Sequence, residues 1–341
     1  MRLSPKPAST AEQPANPVPV LYIGGFGRSG STLLDRLLGN VPQLHSGGEI
    51  AGIWPQGLIS DRLCSCGVRF SECPFWTVVG KSSFGTLNVE EVDAIASYLR
   101  HTFPAKKMWR LFLPRTRANL IAAAPENFLD VTAQIYEGMR EVSACQAVVD
   151  SSKLATYLLM LAQVPSLRLH VVHLVRDPRA VAHSWSRPIV PDPDGRSSIG
   201  RFGAVKSALL WMIINIALEW TARRLDLPYL RIRYEDLVAC PDQVVDQLRR
   251  QVSTDLPGTA SPAAPAGGEV ELDVVHSVSG NPMRFAQGRV AIVEDASWKG
   301  DGRAKRAITS AITFPLQWRY GYRALRRPVA EASGRAVATD S

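Results

Sequence analysis

The feature that most constrains the fold is an apolar run of strand length that passes into a glycine-rich turn and then into a helix. Residues 18–25 read VPVLYIGG and residues 25–38 read GFGRSGSTLLDRLL. Glycine lets several backbone N–H groups converge on one point, and the start of the helix adds the positive end of its dipole. This arrangement predicts a turn that binds a phosphate or a similar anion.

Three later apolar runs, each followed by a helix-like pattern, have the same strand length: AVVD at 147–150, LHVVHLVR at 169–176 and LPYLRIRY at 227–234. This alternation predicts an α/β fold. Continuous Val, Ile and Leu runs indicate strands that are covered on both faces. We therefore predict a three-layer fold, with a mostly parallel sheet flanked by helices, of the P-loop nucleotide-binding type, and a ligand at the carboxyl ends of its strands.

The 341 residues are 46% hydrophobic and 21% charged, which excludes a disordered or fibrous chain. We expect a disordered leader at 1–17, a single domain at 18–330 with a largely helical, acceptor-side insertion at about 51–145, and a disordered tail at 331–341. The run ALLWMIINIAL at 208–218 is too short to cross a bilayer and predicts a buried helix without a membrane span. Residues 256–269 predict a surface loop.

The net charge and the cysteine content indicate the kind of binding partner and the cellular compartment. The net charge of +8, from 39 Lys and Arg against 31 Asp and Glu, favours anionic partners. The five cysteines are too few and too unevenly spaced for the disulfide framework of a small secreted domain, which favours the cytoplasm.

The glycine turn departs from the P-loop of nucleoside triphosphatases at one position. Gly25 and Gly30 have the P-loop separation and Thr32 stands at the Ser/Thr position, but Ser31 stands where the lysine belongs. No strand-terminal Asp of the Walker-B kind is evident either. Both departures argue against hydrolysis of ATP or GTP.

Four segments, in chain order, resemble the sulfotransferases that use 3′-phosphoadenosine 5′-phosphosulfate (PAPS). They are GRSGSTLL at 27–34, HLVRDPRAVAHSW at 173–185, YLRIRYEDL at 229–237 and HSVSGNPMRF at 276–285, the last as in carbohydrate-type and bacterial members. The resemblance implies that PAPS is the donor and that no metal is required. It implies a donor site formed by Gly27, Arg28, Ser29, Gly30, Ser31, Thr32, Arg176, Ser184, Tyr234 and Arg284.

Within that site the resemblance implies a division of roles. The loop holds the 5′-phosphosulfate, Arg176, Ser184 and Arg284 hold the 3′-phosphate, and Tyr234 lies near the adenine. Arg28 is expected to stabilise the charge that develops on the bridging oxygen during transfer.

The acceptor must lose a proton, which requires a base opposite the sulfuryl group. Glu49 in LHSGGEI stands where carbohydrate-acting members have a glutamate base, and His45 is a second candidate. We favour Glu49, with Lys153 in VVDSSK as a second cation on the acceptor side. The expected reaction is transfer of the sulfuryl group to a hydroxyl, or an amine, of a sugar or small natural product.

Other signals carry less weight. Cys64, Cys66 and Cys73 suggest zinc, but their spacing is poor and a fourth ligand is missing, so we expect a local disulfide or plain packing and no metal site. We also expect the histidines around the third strand to pack within the fold.

Two rival functions remain, a P-loop nucleotide kinase and a non-catalytic, basic nucleic-acid-binding protein with a residual nucleotide pocket. We favour a small-molecule or carbohydrate acceptor and no nucleic-acid partner, and leave homo-oligomerisation open.

Overall fold

A computed structural model describes residues 16–102, 104–188, 193, 200–252 and 268–322. The predicted leader, except for its last two residues, and the predicted tail at 331–341 lie outside these described residues. Residues 256–267 of the predicted surface loop lie outside them as well.

A five-stranded parallel sheet forms the centre of the fold, with the strand order β2-β3-β1-β4-β5. Its strands are β1 (Val18–Gly24), β2 (Leu44–Ser46), β3 (Ala147–Lys153), β4 (Leu167–Val175) and β5 (Tyr229–Arg233). A separate antiparallel pair consists of β6 (Glu269–Leu272) and β7 (Gly288–Ala291). The α/β class and the parallel sheet predicted from the sequence are confirmed.

Both faces of the sheet are buried, as the continuous apolar runs predicted. Along β1, Val20 and Tyr22 belong to one apolar cluster, whereas Leu21 and Ile23 belong to another. Since successive side chains of a strand point to opposite faces, each face needs its own layer of helices.

Eleven helices are found among the described residues. They are α1 (Ser31–Gly39), α2 (Pro74–Ser82), α3 (Val89–Thr102), α4 (Pro114–Ala122), α5 (Phe128–Ser143), α6 (Ala155–Leu161), α7 (Pro178–Ser186), α8 (Ala204–Arg224), α9 (Tyr234–Ala239), α10 (Pro241–Val252) and α11 (Arg303–Arg319). Buried residues of α1, α9 and α10 cover one face of the sheet, and those of α5, α6, α8 and α11 cover the other. The chain is therefore a three-layer α/β protein.

The segment between β2 and β3 is built mainly from helices. Besides α2 to α5 it contains 3-10 turns at Ile50–Gly52, Phe70–Glu72 and Ala105–Phe112, a π-helical stretch at Ile53–Ile59, and one bridge between Leu63 and Arg69. Its side chains contribute to the larger of the two apolar clusters.

The apolar run at 208–218 lies in α8, which is a helix of the core. α8 is long and apolar enough to cross a membrane by length and composition alone, but 56% of that window is buried inside the fold. It packs against α6, α7, α11 and β4, and its Trp211 Nε1 donates a hydrogen bond to the carbonyl oxygen of Arg176 (3.1 Å). α8 thus supports the carboxyl end of β4.

The histidines around β4 have partners within the fold. His173 is fully buried, its Nε2 lies 2.8 Å from Asn215 Oδ1, and its Nδ1 lies 2.6 Å from the hydroxyl of Tyr229. Burial lowers the pKa of His173 to about 4, which keeps the ring neutral. His183 Nδ1 lies 2.8 Å from an oxygen of Asp301 and connects α7 to the start of α11.

Candidate active site

The glycine-rich loop after β1 forms one wall of a cleft at the carboxyl edge of the sheet. Gly25 and Gly30 have φ angles of 141° and 91°. A Cβ at Gly25 would lie 2.3 Å from the carbonyl oxygen of Leu174, and one at Gly30 would lie 2.4 Å from the ring of Tyr234. Backbone conformation and close packing both require glycine at these two positions.

The loop ends where α1 begins without a side-chain cap. The first amide N–H groups of a helix have no intrahelical acceptor and carry the positive end of the helix dipole. Ser31 and Thr32, the first two residues of α1, both line the cleft. The turn therefore offers backbone and hydroxyl donors to an anion.

Arg28 adds a positive charge to this turn. Its guanidinium lies 5.3 Å from the centre of the Trp185 ring, and its Nη2 is buried without a hydrogen-bond partner among the described residues. Burial lowers the pKa of Arg28 from its ordinary value. A buried cationic donor without a partner is costly, and an anion in the cleft would satisfy it.

Arg176 brings a second guanidinium to the same side of the cleft. It follows the last residue of β4, and its Nη1 donates a hydrogen bond to the carbonyl oxygen of Arg28 (3.2 Å). Its guanidinium carbon lies 4.3 Å from the centre of the Tyr234 ring. Ser184, two turns along α7, also lines the cleft. Two cations and a hydroxyl thus face one space.

An aromatic stack closes the cleft beside the loop. Trp185 Nε1 donates a hydrogen bond to the carbonyl oxygen of Gly27 (3.2 Å). Its ring stacks with Phe202 at 4.4 Å and with Phe26 at 5.7 Å between centroids. These rings shield the loop from solvent on that side. Sequence reasoning missed them, although Trp185 directly follows Ser184.

On the opposite wall, Glu49 and Lys153 form an ion pair. Lys153 is the last residue of β3, and Glu49 immediately precedes the turn Ile50–Gly52. Ser279 Oγ donates a hydrogen bond to Glu49 Oε2 (3.3 Å). The side chains of Glu49 and Lys153 are 23% and 18% exposed, so both remain accessible from the cleft.

A buried carboxylate holds this wall in place. Asp150 accepts hydrogen bonds from the Tyr136 hydroxyl (2.6 Å) and from the backbone N–H of Ser152 (2.8 Å). Ser152 Oγ donates to Asp150 and accepts from the backbone N–H of Ala51 (3.0 Å). Complete burial raises the pKa of Asp150 to about 6. The network ties the end of β3 to the turn that follows Glu49.

The cleft enclosed by these walls has a volume of about 740 Å³, within the usual range of small-molecule sites. It brings together most of the predicted site residues: Gly27, Arg28, Gly30, Ser31, Thr32, Glu49, Lys153, Arg176, Ser184 and Tyr234. Ser29 is 2% exposed and lies inside the loop, and its Oγ has no hydrogen-bond partner among the described residues.

His45 does not line the cleft. Its ring stacks on Phe75 at 4.6 Å, between β2 and α2. Burial, together with the nearby His276, lowers the pKa of His45 to about 4. The ring is therefore neutral and packed in the interior, and the structure places only Glu49 of the two predicted bases at the cleft.

Arg284 is also directed away from the cleft. It is 2% exposed, and its Nη1 donates hydrogen bonds to the carbonyl oxygens of Leu63 (2.9 Å) and Ser277 (2.8 Å). The structure therefore does not bring Arg284 together with Arg176, as a shared role at the 3′-phosphate requires. Its guanidinium instead connects the predicted phosphate-binding loop to the helical segment.

A further arginine positions that loop from the other side. Arg36 of α1 is almost fully buried and donates hydrogen bonds to the carbonyl oxygens of Arg284 (2.8 Å), Ala286 (2.8 Å) and Asp273 (2.5 Å). The anchored loop contributes Asn281 to the cleft. Because Arg36 lies in the middle of a helix, the sequence does not indicate that it anchors this loop.

The helical segment also contributes polar groups to the cleft. Gln56 and Arg62 line it, and Arg62 Nη1 donates a hydrogen bond to Gln56 Oε1 (3.3 Å). Neither lies in a motif, which is why sequence reasoning missed both.

The fold is that of an α/β protein, and its cleft is lined by cationic and hydroxyl side chains. Comparisons with known proteins give the following similarities. No protein-family model and no curated protein matches the sequence. Among solved structures, the sulfotransferase domain of the Synechococcus PCC 7002 olefin synthase is 17% identical, with 92% of this chain and 99% of that one covered and a TM-score of 0.45.

Two mycobacterial sulfotransferases are similar over a smaller part of the chain. The one from Mycobacterium tuberculosis is 16% identical, with 70% of this chain and 67% of that one covered and a TM-score of 0.35. The one from Mycobacterium avium is 14% identical, with coverages of 70% and 64% and a TM-score of 0.37. At such identities and scores, the function has to be derived from the cleft itself.

Proposed function

We propose that the protein is a sulfotransferase that moves the sulfuryl group of PAPS to a hydroxyl group of a small acceptor. One observation carries the proposal: the buried, unpartnered Nη2 of Arg28 lies on a glycine loop at the uncapped start of α1. Such a site is built for a bound anion. The resemblance of this loop and of the β4–α7 segment to PAPS-dependent enzymes supports the choice of that anion.

The residues of the cleft fit the two ends of the donor. The loop amides, Arg28 and the hydroxyls of Ser31 and Thr32 suit the 5′-phosphosulfate. Arg176, with Ser184 on the helix that follows, suits the 3′-phosphate. Tyr234 packs against Gly30 and Arg176, and the resemblance assigns it to the adenine.

The opposite wall supplies the acid–base chemistry. In the proposed reaction the acceptor oxygen forms a bond to sulfur while the bond from sulfur to the phosphate oxygen breaks, and Glu49 takes the acceptor proton. Lys153, paired with Glu49, keeps a positive charge beside the reacting oxygens. Arg28 and the loop amides stabilise the charge on the leaving phosphate. Sulfuryl transfer resembles phosphoryl transfer, in which positioning and charge stabilisation are sufficient.

The acceptor enters from the helical segment. Gln56 and Arg62 line that part of the cleft, and Leu154 and Ile214 give it apolar surface. This mixture suits the hydroxyl of a sugar or of a polyol-bearing natural product, with an amine as the alternative acceptor. The five cysteines are free thiols in the structure, which agrees with the cytoplasm as the proposed compartment.

Calorimetric binding of 3′-phosphoadenosine 5′-phosphate (PAP), the desulfated donor, tests the proposal. We expect PAP to bind and ATP with Mg²⁺ not to bind. Loss of a charge-assisted pair by Arg176→Ala is expected to remove about 2–3 kcal/mol of binding energy, which is roughly 30- to 150-fold in affinity. Arg115→Ala is the control, since it removes the same charge from an exposed position on α4.

Two results decide between the proposal and its rivals. If ATP with Mg²⁺ binds and PAP does not, the nucleotide-kinase reading replaces the proposal. Binding of neither, together with salt-dependent affinity for oligonucleotides, supports a nucleic-acid-binding protein instead. PAP binding that survives Arg176→Ala contradicts the role given to Arg176.

A further inference from the structure

Three thiols and one imidazole meet outside the cleft. Cys64, Cys66 and Cys73 lie between the Ile53–Ile59 helical stretch and α2, and His276 comes from the segment between β6 and β7. Their ligand atoms all lie within 4.8 Å of one another. The fold therefore supplies the fourth ligand that the local sequence lacks, from a position about two hundred residues away.

The distances match the edges of a metal-centred tetrahedron. Cys73 Sγ lies 3.6 Å from Cys64 Sγ and 3.7 Å from Cys66 Sγ. His276 Nδ1 lies 3.3 Å from Cys73 Sγ and 3.9 Å from Cys64 Sγ. Zinc bound at about 2.3 Å from sulfur and about 2.0 Å from nitrogen places two sulfurs about 3.8 Å apart, and sulfur and nitrogen about 3.5 Å apart.

The backbone around the thiols is held in a tight turn. Cys64 N–H donates to Val68 O (2.8 Å), and Gly67 N–H donates back to Cys64 O (2.9 Å). Gly67 has a φ of 95°, which glycine adopts without strain. Cys73 is the residue before α2, so the third thiol lies at the start of a helix. The turn and the start of α2 thus hold the three sulfurs close together.

The imidazole is positioned just as firmly. Phe75 stacks on the His276 ring at 5.0 Å and an interplanar angle of 10°. Trp76 Nε1 donates a hydrogen bond to the carbonyl oxygen of His276 (2.7 Å). Arg284 bonds the carbonyl oxygens of Leu63 and Ser277, next to Cys64 and His276 respectively. The buried Arg284 therefore joins the two segments that carry the ligands.

We propose that Cys64, Cys66, Cys73 and His276 bind one Zn²⁺ ion in a closed, structural Cys₃His site. Three sulfurs and one nitrogen in a tetrahedral arrangement are a donor set that zinc prefers. On binding, the thiols ligate as thiolates and release their protons to solvent. With four protein ligands no position is open to substrate, so the ion has no part in sulfuryl transfer.

A disulfide is the competing explanation, and the geometry disfavours it. Sulfur atoms in a disulfide are about 2.05 Å apart, whereas Cys73 Sγ lies at nearly equal, longer distances from both neighbours. A single disulfide also leaves one thiol and His276 without a role. Four converging ligand atoms are better explained by one ion.

The site links the helical segment to the wall of the cleft. His276 is followed by Ser277, which bonds Ser65 and Arg284, and then by Ser279, whose hydroxyl donates to Glu49. The ion thereby fastens the loop that contacts the proposed base. Its role is to hold that loop on the helical segment.

Metal analysis of the full chain, purified under reducing conditions, tests the proposal. We expect one zinc ion per chain, retained in Cys240→Ser and lost in Cys73→Ser and in His276→Ala. Cys240 is the matched control because it is exposed and outside the cluster. Since a ligand variant can fail to fold, a second measurement uses the unmutated chain: replacement of zinc by Co²⁺ is expected to give the visible and near-ultraviolet bands of tetrahedral thiolate-bound cobalt.

Absence of zinc from the purified chain, together with no cobalt spectrum after metal addition, overturns the proposal. In a parallel sample purified without reductant, a mass lower by two hydrogens with a Cys66–Cys73 or Cys64–Cys73 linkage, in place of metal, establishes the disulfide instead. Neither readout depends on PAP or on transfer activity, so this proposal and the proposed function fail independently.

Discussion

The ion pair between Glu49 and Lys153 is the part of the cleft where a single side chain has most influence on the chemistry. Lys153 has a φ of 71° at the end of β3, a conformation that orients its side chain across the cleft wall toward Glu49. The ammonium of Lys153 and the hydroxyl of Ser279 both contact the Glu49 carboxylate. These two contacts hold the Glu49 side chain in place on the cleft wall.

Replacement of Glu49 by glutamine is therefore expected to lower the transfer rate by about 10²- to 10⁴-fold, the usual contribution of a general base. PAP binding should stay close to that of the unmutated chain, because Glu49 faces the acceptor and not the phosphates. Transfer from labelled PAPS and calorimetry with PAP measure the two effects. Glu271→Gln is the matched control, on the exposed strand β6.

Substitutions of the two predicted bases, Glu49 and His45, are expected to have different effects on the transfer rate. His45→Asn alters a packed interior ring and is expected to change stability and leave the pH dependence of the transfer rate as it is. The choice of Glu49 is contradicted if Glu49→Gln leaves the transfer rate unchanged and His45→Asn removes an ionisation from its pH dependence. That result assigns the base to His45.

At the scale of elements, the loop between β1 and α1 depends on close packing against α9. Gly30 is the clearest case, since its φ is 91° and an added Cβ would meet the Tyr234 ring at 2.4 Å. Tyr234 also supports Arg176. Displacing one ring therefore disturbs the loop and the second arginine together.

Gly30→Ala is expected to weaken PAP binding at least 10-fold and to lower the free energy of unfolding by about 1–3 kcal/mol, from left-handed backbone strain and overpacking. Gly268→Ala is a matched control, because Gly268 has a φ of 84° and its added Cβ would meet no atom of the described residues closer than 3.9 Å. It carries the backbone strain without the collision. Equal PAP affinity in both variants contradicts the proposed packing role.

The sequence predicted those strands that are long enough to show a continuous apolar run. β1 and β4 are continuous apolar runs because both faces of the sheet are covered. Arg176 directly follows β4, and Arg28 lies four residues after the end of β1. β2 has only three residues, too few for a periodic signal. β6 and β7 have four residues each, which is also too short for a recognisable pattern.

The sequence alone did not predict where a side chain points or which distant residues it contacts. Arg284 was predicted to reach the 3′-phosphate, but its guanidinium donates hydrogen bonds to the carbonyl oxygens of Leu63 and Ser277 in the interior. His276 meets the cysteines only because the chain folds back over the helical segment. Such contacts depend on tertiary packing, which motif spacing does not encode.

For the whole molecule, two buried carboxyl groups make stability depend on pH. Asp35 of α1 accepts a hydrogen bond from Ser46 Oγ of β2, while its Oδ1 is buried without a partner among the described residues. Desolvation raises the pKa of Asp35 from 3.8 to about 7, and burial raises that of Asp150 to about 6. Both groups therefore keep their protons to a higher pH in the folded chain than in the unfolded chain.

The sign of the effect follows from proton binding. Between pH 4 and the folded pKa, which is about 7 for Asp35 and about 6 for Asp150, the folded chain retains protons that the unfolded chain has released. Stability from these groups is therefore complete below about pH 4 and declines as the pH rises through their folded pKa values. At a pH above 7 each carboxylate is buried in its charged form, which is unfavourable.

Asp35→Asn removes the cost of burying a charged carboxylate at Asp35, which is larger than the cost at Asp150. Asparagine has nearly the same size as aspartate and cannot ionise. A pKa shift from 3.8 to about 7 corresponds to up to about 4 kcal/mol at 1.36 kcal/mol per unit. We expect the variant to be more stable than the unmutated chain by up to that amount at pH 8, and by only about 1.6 kcal/mol at pH 5, which lies 1.2 units above the unfolded pKa of 3.8. Urea unfolding at both pH values measures the difference, with Asp93→Asn on the exposed side of α3 as control. A stabilisation of the same size at pH 5 and pH 8 shows that packing, and not the buried charge, is responsible.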